Sequence, residues 1–451
     1  MTASGSRPPA WTPAQPCTQA ASELAPSIHQ PPHHVHSDAD IRPGLLDRTA
    51  GLGSVVTMAE HSPPMPVPEP LAADLQAERR RTSLAHSSAH TLPVKVGLVL
   101  GGGGLLGSAW LVGVLDALAS ETGWDPGSAQ YVVGTSAGAM IAGLCACGVP
   151  AWFMLAQSAG EMPQRLADEP DGERTGWSGS AVFRLHRGVP PPGPGSWRLA
   201  LASLARPSRY SPAALLAGLL PQGLVSSEPL KQTIRRVAGD GWAPHPHLWI
   251  MACDHHTGQR VALGRSDAPP VSLADAVAAS CAVPGFYRPV TIAGRRNVDG
   301  GVVSTSNLDL VADLGLDLVI CLNPMSSLHA PKPRTPGERA AWVLRQASGR
   351  RLGSEAKRVR ASGTEVLVIQ PTLHDLDAMG TNLMSTSATR RKQVIQTAAQ
   401  TATGLVREPE VRARLRDLPR GQPPLVRRPP GPLTDRPDFA QLARGRWERS
   451  G

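Results

Sequence analysis

The sequence predicts an α/β protein built on a mainly parallel sheet with helices on both faces. Three observations carry that prediction. Short apolar runs of strand length recur along the chain and alternate with stretches whose apolar residues repeat every three to four positions. The first two such runs each end in a loop of small residues that opens directly into a helical pattern. Hydrophobic residues make up 41 % of the chain, enough for a sizeable core, whereas 45 prolines are too many for uniform packing and point to unstructured segments beside it.

Residues 1–92 are rich in Pro, Ser, Ala and His, lack periodicity, and are expected to be disordered. Their histidines His29, His33, His34 and His36 lack a scaffold, so they are read as solvated rather than as metal ligands, and Met58 offers an alternative start. Order begins at Val94. Val96–Leu100 is the first expected strand and residues 101–104 a glycine loop. Leu106, Trp110, Leu111, Val114, Leu115 and Leu118 then mark one face of a helix. A strand at 131–133 and a helix at 137–147 follow. Later strands are expected at 248–252, 260–263, 290–292, 318–322 and 365–369, and helices at 273–281, 308–314 and 339–360. A catalytic domain thus spans 96–322, an α/β extension of it 323–417, and a disordered Pro/Arg-rich tail 418–451.

The stretch 160–225 interrupts the pattern as an insertion, polar at first and apolar with interspersed arginines over 197–220. That second part has two readings, a helical insertion packed on the core and a lid or membrane-surface helix that touches a membrane transiently. The net charge of +9 comes from scattered arginines without an aromatic-interleaved stripe, so nucleic acid is not an expected partner. Six cysteines, most of them inside apolar runs, are expected to be free thiols in a reducing compartment. Neither a secretory signal nor an apolar run of about 18 residues is apparent, so the expected location is cytoplasmic, with at most peripheral membrane contact.

The chemistry concentrates in three places. Gly134-Thr135-Ser136-Ala137-Gly138 sets a serine on a sharp strand-to-helix turn, where a hydroxyl is lifted clear of a sheet as a nucleophile. Gly134 and Gly138 leave room for unusual backbone angles beside it. Earlier, Gly102-x-Gly104-x-x-Gly107 fits the dinucleotide-binding pattern, but that use needs an acidic residue at the end of the second strand. Here that strand runs into Ser136 instead, so the backbone N–H groups of Gly102, Gly103, Gly104 and Gly107 are read as an oxyanion hole. Asp299, followed by Gly300 and Gly301, ends a strand at a glycine turn and is the candidate base, with Ser304, Ser306 and Asn307 as candidate orienting groups.

In this order the glycine loop 101–107, the elbow 134–138 and Asp299-Gly300-Gly301 resemble the patatin-like phospholipase family, as does the block 278–286 that precedes the acid. The resemblance covers about 96–322. It implies a three-layer α/β/α fold and a lipid acyl hydrolase of the phospholipase A or lysophospholipase type. It also implies a Ser–Asp dyad, with Ser136 as nucleophile and Asp299 as proton acceptor, and neither metal nor organic cofactor. One departure is Leu106, which stands where many members carry Arg or Lys. Two alternatives stay open. One is an α/β-hydrolase triad in which His374 follows Ser136 and Asp299 in chain order. The other is an inactive lipid-surface module with the same fold. His255 and His256, beside Asp254, are read as loop residues because neighbouring side chains on an extended segment point oppositely.

Overall fold

The computed structural model describes residues 94–159, 184–185, 188, 193–207, 209–328, 333–421 and 428. All of them belong to the second of the chain's two compact units, Ser87–Gly451. The expected disorder of 1–92, the His-rich tract, Cys17 and nearly all of the 418–451 tail lie outside the described residues.

The chain runs β1 (Val96–Leu100), α1 (Gly104–Thr122), β2 (Tyr131–Thr135), α2 (Ala137–Ala146) and α3 (Ala151–Ser158). The insertion supplies α4 (Trp197–Ala205) and α5 (Pro212–Leu219). Next come α6 (Glu228–Ala238), β3 (Leu248–Asp254), β4 (Arg260–Leu263), α7 (Leu273–Ser280), β5 (Val290–Ile292) and β6 (Arg295–Asp299). The last part holds β7 (Leu318–Leu322), α8 (Pro336–Ala361), β8 (Glu365–Ile369), α9 (Leu373–Met379), α10 (Ala388–Arg407) and α11 (Pro409–Arg414).

The sheet is mainly parallel through β3-β2-β1-β7-β8, and β4, β5 and β6 are antiparallel additions at one end. Its strands alternate in the way a doubly covered sheet requires. Leu98, Leu100, Val132, Ile250 and Ile320 enter the larger core with α1, α2, α7 and α10. Val99, Val133, Met251, Val319 and Cys321 enter a second core against Leu352, Ala356 and Val359 of α8. These are the three layers expected from sequence.

The feature that positions the site is the shared edge of β3. β4 occupies one edge, pairing with Ile250–Cys253. On the other edge β2 pairs in parallel as far as Thr135↔Met251, and β6 pairs antiparallel starting from Asp299↔Ala252. Two strands of opposite direction therefore meet end to end along a single edge, one residue apart. The chain beyond Thr135 and the side chain of Asp299 are delivered to the same point.

The elements differ from expectation in several places. The helix expected at 308–314 is a short 3-10 turn, Leu308–Val311, because the chain turns back at once: Ala312 is extended, and Asp313 and Gly315 are left-handed. The segment around His374, for which no element is expected from sequence, is α9, started by a capping box between Thr372 and Asp375. α10 went unseen because its buried stripe, Val394, Ile395, Ala398, Ala402 and Val406, is alanine-rich and weakly apolar. Taken alone, α1 is long and apolar enough to cross a membrane, yet most of it is buried inside the protein, packed against α10, α2 and α3.

α1 and α10 meet so closely that a Cβ on Gly113 would lie 2.6 Å from the Ile395 carbonyl oxygen. Gly113→Ala is expected to lower the unfolding free energy by about 2 kcal/mol or more through overpacking. On the exposed side of α8 nothing lies within 4 Å of a Cβ added at Gly353. Gly353→Ala is expected to raise stability by about 0.5–1 kcal/mol through helix propensity. Urea unfolding of both variants checks the pair.

Candidate active site

Ser136 sits between the last residue of β2 and the first turn of α2 with φ 53° and ψ −119°, a left-handed conformation rare for a residue with a side chain. The surrounding structure holds it there. A Cβ on Gly138 would fall 2.0 Å from the Leu100 carbonyl oxygen, and one on Gly134 2.6 Å from the Ala139 backbone, so only glycine fits at either end of the turn. The Ser136 N–H donates to Ser280 Oγ at 2.9 Å, Ser280 Oγ donates to the Met251 carbonyl at 2.5 Å, and the Cys281 thiol donates to the Ser136 carbonyl at 3.2 Å. Both faces of the strained residue are thus gripped by the end of α7. Sequence had marked the block 278–286 without assigning it this task.

Asp299 reaches the same point from β6. Its N–H donates to the Ala282 carbonyl at 3.0 Å, and Gly300 passes so close to β3 that a Cβ there would lie 2.3 Å from the Met251 carbonyl. Asp299 Oδ1 accepts the Gly301 N–H at 2.7 Å, which leaves Oδ2 to accept the Ser136 hydroxyl at 2.6 Å. Ser136 and Asp299 are only 8 % and 6 % exposed. Burial pushes the Asp299 carboxyl up to about 6, and the hydrogen bonds from Ser136 and Gly301 oppose that rise.

The four glycines expected as oxyanion donors divide in two. Gly102 lies against Ser136, with the position of a Cβ 3.3 Å from the serine Cβ, but its N–H is committed to the Thr305 carbonyl at 2.8 Å. The N–H of Gly107 closes the first turn of α1 onto the Gly103 carbonyl at 2.9 Å. Gly102 and Gly107 are therefore corrected from donors to framework. The N–H groups of Gly103 and Gly104 have no acceptor among the described residues, as expected at a helix start. Gly104 is left-handed, at φ 64°. Leu106, the departure from the family pattern, is fully buried in α1.

Ser304, Ser306 and Asn307 do not touch the Asp299 carboxylate. Asn307 Nδ2 donates to Thr135 Oγ1 at 3.0 Å and to the Ser304 carbonyl at 2.7 Å, and Ser306 Oγ donates to Glu355 at 2.6 Å. They tie the segment after the acid to the strand before the serine. His374 is exposed on α9, and among the described residues no histidine is hydrogen-bonded to Ser136 or Asp299. His255 is buried, its Nε2 at 3.0 Å from the Ala217 carbonyl of α5. Asp254 Oδ1 accepts the N–H groups of His256 and Thr257, an Asx turn. Among the described residues no group of three or more His, Cys, Asp and Glu side chains forms a metal-binding set.

A three-layer α/β fold with a strained serine elbow, a glycine loop at a helix start and an aspartate in contact defines a hydrolase class of site. Residues 98–312 match the family model of the patatin-like phospholipases, and the chain carries a domain of that family. Its class is accordingly lipid hydrolase. Among solved structures the chain is similar to VipD from Legionella pneumophila at 16 % identity and a TM-score of 0.34, covering 70 % of this chain and 67 % of that one. It is also similar to the type III effector protein ExoU at 18 % identity and a TM-score of 0.30, covering 72 % of this chain and 54 % of that one. The chain thus spans about half the length of ExoU, and likenesses this weak carry nothing about function.

Because the folded state holds the Asp299 carboxyl at about 6, against 3.8 when unperturbed, the native protein binds that proton more tightly than the unfolded chain does. Ionising Asp299 therefore costs stability. The cost is absent below about pH 4, grows through the window between the two values, and is complete above about pH 6, at about 3 kcal/mol. Asp299→Asn is expected to be more stable than the parent at pH 8 and equal to it at pH 3.5, as measured by thermal unfolding across pH.

Proposed function

We propose that the domain hydrolyses carboxylic esters of lipids, of the phospholipase A or lysophospholipase type, through a Ser136–Asp299 dyad and an acyl-enzyme. The observation that carries this reading is the direct 2.6 Å hydrogen bond from Ser136 Oγ to Asp299 Oδ2, with no histidine between them. Asp299 accepts the serine proton as Oγ bonds to the ester carbonyl carbon. A carboxylate that titrates near 6 is ionised at neutral pH yet basic enough to take that proton. The carbonyl oxygen, now an oxyanion, is held by the N–H groups of Gly103 and Gly104, each such donor contributing about 3 kcal/mol to the transition state. The α1 and α2 N-termini both begin at this point, and their dipoles favour negative charge there. The carbon–oxygen bond to the leaving alcohol breaks, and Asp299 returns its proton to that alcohol. Water then attacks the acyl-enzyme with Asp299 again as base, releasing the fatty acid and restoring Ser136.

The enzyme is proposed to meet its substrate at a lipid–water interface as a cytoplasmic, peripheral protein. Two features support contact through 197–220. Trp197, Leu201 and Leu204 form one face of α4 and are more than 60 % exposed, and Leu216 and Leu219 of α5, with Leu220 just after it, are exposed beside them. From Arg184 to Ser227 the chain has five arginines and neither Asp nor Glu, a charge pattern suited to an anionic surface. The opposite faces, through Leu199, Ala214 and Ala217, pack on Val298 and Val302, which flank Asp299.

Ser136→Ala is expected to lower hydrolysis by about 10⁴-fold or more, and Asp299→Asn by a similar order. His374→Ala should stay within about twofold of the parent. A fluorophosphonate probe should label the parent and not Ser136→Ala. For the parent, kcat/KM should rise with pH as one group of apparent pKa near 6 loses its proton, then level off. Equal labelling of parent and Ser136→Ala would sink the dyad.

Ser136→Ala protein, which leaves lipid intact, is expected to co-sediment with vesicles containing phosphatidylserine and much less with phosphatidylcholine alone. Leu201→Glu with Leu204→Glu should abolish that binding. Equal binding by this double variant would remove 197–220 from the interface.

A further inference from the structure

The family match ends at 312, yet the glycine loop and the segment after Asp299 are held by a helix that begins at Pro336. The buried face of α8 carries Arg345, Ser348, Leu352, Glu355, Ala356 and Val359, a spacing of three and four residues that marks one stripe. Leu352, Ala356 and Val359 enter the second core with Val99, Val319 and Cys321. The other three are polar and buried, and each one bonds to a segment that frames Ser136.

Glu355 Oε2 accepts both Ser306 Oγ at 2.6 Å and the Leu308 N–H at 3.0 Å, and its Oε1 accepts Arg351 Nε at 2.8 Å. Ser348 Oγ is 2.5 Å from Thr305 Oγ1 and accepts Asn323 Nδ2 at 3.4 Å. The Thr305 carbonyl is the acceptor for Gly102, and Asn307 in the same loop grips Thr135 next to the serine. Arg345 Nη1 donates to the Pro324 carbonyl at 2.8 Å. Pro324 is the wall behind the loop: a Cβ on Gly103 would lie 2.6 Å from its Cγ and one on Gly107 3.3 Å, while the neighbouring Asn323 Oδ1 lies 2.7 Å from the Cβ position of Gly101. No carboxylate lies within ion-pair distance of Arg345 among the described residues, and burial pulls its pKa down to about 10. Buried polar groups in place of leucines stabilise a core poorly. These three instead hold two adjoining loops, from positions that span about 15 Å of the helix axis.

Building on the dyad reading, we infer that Arg345, Ser348 and Glu355 of α8 are positioning residues that hold the Gly103–Gly104 donors and the 304–308 loop in register with Ser136. None of the three touches the reacting atoms. Arg345 acts through Pro324 on the oxyanion loop, Ser348 through Thr305 on Gly102, and Glu355 through Ser306 and Leu308 on the loop that joins Asp299 to Thr135.

The test compares Arg345→Met, Arg345→Lys, Ser348→Ala and Glu355→Gln with Leu352→Ala, an apolar truncation on the same stripe. A water-soluble ester gives kcat and KM, and hydrogen exchange of the 101–107 and 304–308 peptides reports the loops. Arg345→Met and Glu355→Gln are expected to lower kcat about tenfold or more, with KM within about twofold, and to speed exchange in these peptides. Arg345→Lys, which keeps one donor for Pro324, should restore most of the rate. Leu352→Ala should lower Tm and leave kcat of the folded protein and exchange at 101–107 unchanged. The inference is overturned if the polar variants lower Tm alone, as Leu352→Ala does, or if loop exchange matches the parent. Should Arg345→Met fail to fold, Arg345→Lys against Ser348→Ala decides by the same readouts. Hydrolysis retained by Ser136→Ala would strike the dyad instead, and loop exchange would still settle the clamp.

Discussion

The meeting of β2 and β6 on one edge of β3 is the constraint on which the rest of the site depends. Thr135 pairs with Met251 and Asp299 with Ala252, so the two strands are fixed one residue apart by backbone hydrogen bonds rather than by side-chain reach. Such a junction forbids side chains at its corners. Gly300 passes over the Met251 carbonyl and Gly138 over the Leu100 carbonyl, and each is a glycine because a Cβ would overlap backbone. The same Met251 carbonyl accepts Ser280, which in turn accepts the Ser136 N–H. One peptide of β3 thus sets the turn after Asp299 and the backbone of Ser136 together.

That rigidity is what the proposed dyad requires if two groups are to serve where many serine hydrolases use three. A histidine between serine and acid tolerates some misplacement because imidazole bridges a gap and presents two nitrogens. Here the carboxylate itself lies 2.6 Å from the hydroxyl, so any slip of β6 against β2 would break the contact. Desolvation makes the arrangement costly to the fold and, in the proposed mechanism, useful to the chemistry. Burial raises the basicity of Asp299 while its second oxygen stays satisfied by the Gly301 N–H. The conformational strain at Ser136 belongs to the same economy, held by Ser280 and Cys281 on one side and by the first turn of α2 on the other.

How much of this was legible in sequence follows from which signals are local. The elbow, the glycine loop and the Asp-Gly turn are each set by a few neighbouring residues, and their order along the chain pointed to the fold. The strands of the parallel sheet were legible because double burial makes them near-continuous apolar runs. What was not legible is pairing. Nothing in the Gly102 sequence tells that its N–H is already given to Thr305, two hundred residues away, or that Asn307 serves Thr135 rather than Asp299. Alanine-striped α10 was missed because a weakly apolar face gives little periodic contrast, although it packs so closely on α1 that alanine and glycine are the residues that fit.

The loss of a basic residue from the glycine loop looks different once the packing is known. Position 106 lies in the first turns of α1, fully buried, with its N–H bonded to the Leu383 carbonyl. A lysine or arginine there would enter the apolar core shared with α10, where an unpaired charge costs several kcal/mol. Leucine is what this interface accepts. The cation that does stand near the loop comes from α8, where Arg345 binds the Pro324 carbonyl behind Gly103 and Gly107. Its charge strengthens that single hydrogen bond, since a charged donor binds a carbonyl more tightly than a neutral one. It does so through Pro324, so that in the proposed mechanism the oxyanion is left to the backbone donors of Gly103 and Gly104.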